Sequence, residues 1–314
     1  MKRILILLTL LLSTNLYSAP PKDEAEYLKP FATLTGSMAN SGWFQSASID
    51  KDFHFYIGLP INLVNVGGAD RSYEKTYKGG LEDKPYIKNY ASATIWSDHS
   101  GASVKEPIYG LDGNIADYIN HELSDGMSAL ADFSMLPFPT LQLGFSTHYT
   151  ELKLRYIGMP TIQGIGFHFP AFGLQHDFGK SLIKKNLPVD LSVATSFTFP
   201  SYSIKPAYDE NDKDQLTFEA SGLVSFVGLV VGKKFKNFEI FAETGWEYSG
   251  MSFKGEQKLK GNSNMISYDE DLVGRNNFKI AINVSASLGA WLPILSQNFG
   301  ANFGNTINII SFQK

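Results

Sequence analysis

Two sets of ionisable residues recur at strand-like spacing. Glu239, Glu243 and Glu247 occupy every fourth position of one stretch, and Glu151, Lys153 and Arg155 alternate positions of another. Successive side chains of a β-strand point to opposite faces, so each set shares one face. Asp190 and Lys279 hold the polar face of two further stretches, 189–199 and 278–290. Charges on such faces could select solutes passing through a lumen, or pair with one another inside a packed wall.

Other constellations carry less chemistry. The six histidines offer no three or four convergent ligands, so no metal site is assigned. Asp98-His99-Ser100 has the residue types of a nucleophilic triad, but neighbours on one strand or turn cannot form its geometry. Ser181-Leu182-Ile183-Lys184 fits the S-x-x-K spacing, yet it precedes a Lys-rich turn and lacks companion motifs. The acidic run from Asp209 to Asp214 resembles a calcium loop in composition only, with Ala220 standing where the glutamate ligand belongs. Both are read as solvated turns. No catalytic residue or cofactor is assigned, and enzymatic activity is not expected.

The elements that must position the charges alternate. From Phe278 to Ala290 the even positions are Phe278, Ile280, Ile282, Val284, Ala286, Leu288 and Ala290, and the odd ones, Lys279 among them, are small or polar. Val189, Leu191, Val193, Phe197 and Phe199 repeat the pattern, as do Phe238, Ile240, Ala242, Trp246 and Tyr248. Strands of soluble proteins average five or six residues, whereas spanning strands need about 9–11. Several stretches here reach the longer figure, with aromatics near their ends where the girdles of a membrane barrel would lie. The apolar face would then meet lipid and the charged face a lumen. Twelve strands are marked: 53–64, 86–96, 101–109, 139–149, 150–158, 164–178, 187–199, 216–232, 237–249, 275–290, 296–303 and 305–313. Their long connections, 65–85, 110–138, 200–215 and 250–274, all fall at one end, as outer loops would.

The N-terminus fits an export pathway. Lys2 and Arg3 precede an apolar run from Ile4 to Leu12, followed by a small and polar stretch to Ser18. This is a secretory signal pattern, too short to span a bilayer as a helix. Beyond it, Asp23 to Asn40 has helical periodicity, with Leu28, Phe31, Leu34 and Met38 on one stripe. Pro30 would move the start of that helix later. Such a helix could enter the barrel as a plug; the alternatives are a helix lying against the barrel base or a disordered mature terminus. The expected organisation is a signal peptide over 1–18, a helix or plug segment over 19–50, and a barrel over 51–314.

Composition is consistent with this plan. The chain has 314 residues and no cysteine, which removes disulfides, thiolate metal sites and Cys nucleophiles. A net charge of −4 gives no electrostatic reason to expect nucleic acid as a partner. The 23 Phe and 15 Tyr suit strands better than helices.

Several of these residues also carry a resemblance. The run Leu136 to Gly158 reads LPFPTLQLGFSTHYTELKLRYIG, and from Gly164 it continues GIGFHFPAFGLQHDFGKSLIKKNLPVDLSV. With Asn40-Ser41-Gly42-Trp43-Phe44, these segments resemble an uncharacterised Gram-negative outer-membrane family known only as a domain of unknown function. A looser similarity is to long-chain fatty-acid channels, which also carry an N-terminal plug. The resemblance implies a barrel and no established activity. The expectation is therefore an all-β transmembrane antiparallel barrel of about 12 strands (10–14), with an N-terminal helix at or in its periplasmic mouth. It would sit in the outer membrane with the lipid bilayer as partner and act as a channel or transporter for small or hydrophobic solutes. The alternative is a structural or surface-interaction barrel.

Overall fold

The stretch after residue 23 folds as helix α1, Glu24–Asn40, and runs through Pro30 without a later start. Its last turns are buried, so tertiary packing outweighs the hydrogen bond that proline removes. The computed structural model describes residues 24–65, 71–81, 84–94, 103–109, 115–122, 135–162, 165–183, 187–204, 215–236, 238–258, 265–286, 295–300 and 304–313. The signal pattern of 1–18, Asp98-His99-Ser100, Lys184 and the acidic run 209–214 lie outside them.

The chain divides into two compact units, one of residues 1–31 and 66–134, the other of 32–65 and 135–314. Strand β1, His54–Asn65, belongs to the second. In the first unit, β2 (Ser72–Leu81) pairs with β3 (Lys84–Ala93), and β4 (Ser103–Tyr109) with β5 (Ile115–Glu122). These hairpins correct the strand list. Segments 86–96 and 101–109 were expected in the barrel wall, but they pair with residues expected in loops. Alternation marks a strand and not its partner, so a local hairpin and a wall strand look alike in sequence.

The second unit is one antiparallel sheet. Its members are β6 (Met135–Pro139), β7 (Leu141–Thr147), β8 (Thr150–Ile162), β9 (Ile165–Asp177), β10 (Asp190–Thr198), β11 (Ser201–Ile204), β12 (Gln215–Lys234), β13 (Phe238–Lys258), β14 (Met265–Ala286), β15 (Leu295–Gly300) and β16 (Gly304–Gln313), together with β1. The hydrogen-bonded order is β15-β14-β13-β12-β10-β9-β8-β7-β1-β16. Strand β6 shares β1 with β7, and β11 lies between the same neighbours as β10. Pro200, which has no N–H to give the ladder, stands between β10 and β11. Each such pair is one interrupted strand, so the path is shorter than the twelve strands expected. The terminal strands of the path, β15 and β16, also pack against each other.

Strands β12, β13 and β14 run for 20, 21 and 22 residues, and the expected loop 250–274 is mostly strand. The register shifts between Ser249 and Gly250, where Gly274 of β14 has no partner, so the period reverses on β14 while Met251 and Phe253 continue the buried parity of β13. A one-residue slip moves every following side chain to the other face. Beyond the shift Val273 is still exposed, but the next exposed positions are Lys254, Asp269 and Asp271, so the apolar alternation stops there.

The two faces of the sheet have inverted polarity. Leu152, Leu154, Leu174, Val193, Leu229, Ile240, Phe278, Ile280 and Ile282 are exposed. Gln142, Lys153, Arg155, Gln175, Ser192, Glu239, Glu243, Glu247 and Lys279 are buried on the opposite face. No helix among the described residues is long and apolar enough to cross a membrane.

Candidate functional site

The buried polar face holds the segment that follows α1. A helix leaves its last carbonyls without internal partners, and cations near that end are favoured. Helix α1 has no basic residue in its last turn. The sheet supplies the cations instead. Lys279 Nζ donates to the Asn40 carbonyl at 3.1 Å, and Arg155 donates to the carbonyls of Ser41 and Gly42 at 2.7 and 2.5 Å. Lys153 Nζ reaches the Trp43 carbonyl at 3.0 Å. Gly42 has φ 64°, a left-handed conformation that glycine adopts without strain just beyond a helix end.

Aromatic faces complete each cation's surroundings. The Arg155 guanidinium carbon lies 4.2 Å from the Trp43 ring centroid, Lys153 Nζ 5.1 Å from that of Phe44, and Lys279 Nζ 5.2 Å from that of Phe226. Trp43, Phe44, Ala47, Phe226 and Phe241 belong to one buried cluster. Cations over desolvated rings add to the attraction of the carbonyls.

Beyond Phe44 the pattern changes sign, because backbone N–H groups now need acceptors. Glu239 accepts from the Ser46 hydroxyl and from the Ala47 N–H, both at 2.8 Å. Asp177 accepts from the Ile49 N–H at 3.3 Å. Gln175 and Ser192 donate to the carbonyls of Ser46 and Ala47. Upstream, Thr33 donates to the Gly274 carbonyl and Ser249 to that of Ala32. Side chains from β8, β9, β10, β13 and β14 therefore bond the backbone of residues 32–49, a buried chain without sheet partners.

Steric fit agrees with the hydrogen bonds. A Cβ on Gly173 would come within 2.9 Å of the Trp43 ring, and one on Gly232 within 2.7 Å of the Ala47 Cβ. A Cβ on Gly274 would overlap the backbone of Ala32 and Thr33. These three glycines lie where the segment approaches the sheet most closely.

The charged residues singled out from sequence have distinct places. Lys153, Arg155, Glu239, Glu243, Glu247 and Lys279 are buried on this face. Glu151 forms an ion pair with Lys153 at 3.0 Å, and Glu243 one with Lys279 at 3.3 Å. Asp190 lies at the start of β10, 3.6 Å from Lys180. Leu28, Leu34 and Met38 are buried and Phe31 is partly so. The carbonyls of residues 40–43 were missed as partners, as were Gln142, Gln175, Asp177 and Ser192. The Ser41-Gly42-Trp43 element was the available signal, since a glycine just past an amphipathic helix marks a turn that redirects its carbonyls.

Nothing in this arrangement activates a nucleophile or gathers ligands, and no group of three or more metal-binding side chains occurs among the described residues. Its chemistry is to fix a peptide segment. No curated protein matches this chain. The model of one family aligns with residues 24–305, taking in the helix, its polar cradle and the sheet, and on that match the chain belongs to DUF6588, a family of unknown function.

Proposed function

We propose that the protein is an outer-membrane β-barrel occluded by its own N-terminal segment, and that it admits small or hydrophobic solutes when residues 32–49 shift. The observation that carries this reading is the inverted polarity of the sheet. A soluble sheet buries its apolar face, whereas this one exposes leucine, isoleucine and phenylalanine across adjacent strands and buries its charges. On β13, the outward-facing stretch from Phe238 to the half-buried Tyr248, with Phe238, Ile240 and Trp246 exposed, corresponds to roughly 33 Å of strand. At a tilt of 35–45° this gives a band of roughly 25 Å, the height of a barrel's lipid-facing belt. Beyond it, Lys254 and Asp269 form an exposed ion pair, as residues standing in water would.

Contact between β15 and β16 supports closure of the sheet into a ring. Closure satisfies the backbone groups that an open edge would leave in hydrocarbon. The polar cradle supports a gate, because its contacts are hydrogen bonds and ion pairs that water can replace once the segment moves.

Three measurements test the reading. Membrane fractionation and heat-modifiable gel mobility should both be positive. In planar bilayers the full protein should conduct rarely, and a variant lacking residues 19–49 should conduct openly. A soluble periplasmic protein would refute the barrel. A folded barrel that stays silent with and without the segment would leave the structural or surface-interaction role. That second reading is favoured by the number of strands that hold the segment.

A further inference from the structure

The end of β9 carries a contact that the segment's cradle does not use. His176 Nε2 lies 2.8 Å from Ser181 Oγ, and His176 Nδ1 lies 2.8 Å from Thr150 Oγ1. The Thr150 hydroxyl in turn donates to the His148 carbonyl at 3.4 Å. Of the two imidazole tautomers, the one protonated at Nδ1 uses every contact of this chain: Nδ1–H donates to the Thr150 hydroxyl, whose own proton faces the His148 carbonyl. The remaining nitrogen, Nε2, then carries the lone pair and accepts from Ser181. This is the polarity a general base needs toward a serine nucleophile, with a third group orienting the ring.

The surroundings are specialised in two independent ways. Ser181 sits in a π-helical turn, Gly179–Ile183, a rare conformation that is frequent at functional sites. Thr150 follows a tight turn whose two central residues, His148 and Tyr149, have φ of 49° and 63° without being glycine. Such strain persists only where the surroundings impose it. Here His148 N–H donates to the Lys51 carbonyl, Tyr149 N–H to that of Asp50, and Asp177 N–H to that of Tyr149.

The cluster lies on the apolar face of the sheet, opposite the cradle. Thr150 and His176 are register partners, and the next pair on that face is Leu152 and Leu174, both exposed. Leu182, 74% exposed, and Ile183 follow the serine directly. An apolar chain laid along Leu152 and Leu174 would bring a group at its end to Ser181.

We propose that Ser181 and His176 hydrolyse carboxylic esters of apolar acyl chains. Ser181 Oγ adds to the ester carbonyl carbon as its proton passes to His176 Nε2. The C–O bond to the alcohol breaks, the alcohol leaves with that proton, and the acyl group stays on Ser181. Water, deprotonated by the same nitrogen, then adds to the acyl carbon and releases the carboxylic acid with Ser181 restored. Thr150 is a positioning residue that holds the imidazole tautomer.

The test uses the full chain folded in detergent micelles, with p-nitrophenyl acetate and octanoate as substrates and an alkyl fluorophosphonate as label. Wild type should be labelled at Ser181 and hydrolyse octanoate faster than acetate. Ser181→Ala should abolish both signals, and His176→Gln should lower kcat by about 10²–10⁴-fold. Thr150→Val should lower kcat with KM unchanged, and Thr150→Ser should restore it. Folded wild type that is neither labelled nor active would overturn the proposal, as would undiminished hydrolysis by Ser181→Ala. Conductance is a separate readout that Ser181→Ala should leave unchanged, so failure here and failure of the channel reading are distinguishable.

Discussion

Arg155 stacks on Trp43, its guanidinium carbon 4.2 Å from the ring centroid, while its N–H groups grip the two carbonyls just before that tryptophan. The same guanidinium donates to Gln142 Oε1 at 3.0 and 2.6 Å, and Gln142 donates to the Tyr56 hydroxyl. One planar group thus ties β8 to β7, β1 and the segment beyond α1.

Replacing Arg155 should therefore loosen the segment before it loosens the sheet. Arg155→Ala leaves the carbonyls of Ser41 and Gly42 without their charged donors in a buried site. Each hydrogen bond to a charged group contributes about 1.5–3 kcal/mol, so a loss of about 3 kcal/mol or more is expected. Arg155→Lys should recover only part, because an ammonium cannot serve both carbonyls and Gln142 in one plane. Chymotrypsin cleavage after Trp43 and Phe44, which are sealed in the wild type, should become fast in both variants.

The wall glycines separate two kinds of obstacle. At Gly274 a methyl group would meet the backbone of Ala32 and Thr33, which cannot swing aside. At Gly173 it would meet the edge of the Trp43 ring at 2.9 Å. Overpacking costs about 1–3 kcal/mol, and Gly274→Ala should lie at the upper end with Gly173→Ala below it. A smaller partner should relieve only the second. Denaturant midpoints for Gly173→Ala, Trp43→Leu and the double variant should be non-additive, with the double variant more stable than the two single losses predict.

Much of the sheet was legible because its exposed face is apolar at strict period two, as in Phe278, Ile280 and Ile282. Legibility ended where that face met polar surroundings. Gly250 to Gly274 was read as a loop because the register shift at Gly274 reverses the parity of β14 and, past Val273, the exposed positions become Lys254, Asp269 and Asp271. The charged residues were found, and Glu151–Lys153 and Glu243–Lys279 join charges already singled out, but their backbone partners were not found. Periodicity says that Lys153 and Arg155 share a face, and it cannot say that a glycine turn at residue 42 presents carbonyls to them. Ser181 was weighed against Lys184, three residues on, while its hydrogen-bond partner His176 lies five residues back across a turn that no spacing rule describes.

Lys180 gathers the far end of the segment. Its ammonium lies 3.7 Å from Asp50, 3.5 Å from Asp177 and 3.6 Å from Asp190, and it donates to the Ser48 hydroxyl. Lys180→Met would leave three carboxylates near one another without that cation. The Lys180 side chain is a third exposed, so solvent screening limits the loss to about 1–2 kcal/mol. Trypsin cleavage at Lys51 should accelerate in the variant. In the wild type, high salt should produce a smaller change in the same direction.

Ile280 distinguishes a lipid-facing wall from a solvated one. It is 56% exposed, so in water its replacement by lysine would change stability by less than about 0.5 kcal/mol. In a bilayer the same substitution places a cation among acyl chains, at a cost of about 2–4 kcal/mol near the midplane. Lys254→Ala provides the contrast, since its pair with Asp269 is exposed on both sides and contributes at most about 1 kcal/mol in any setting. Refolding into lipid vesicles followed by denaturant titration should show a large loss for Ile280→Lys and almost none for Lys254→Ala. Equal, small effects would remove the membrane from the account of this sheet.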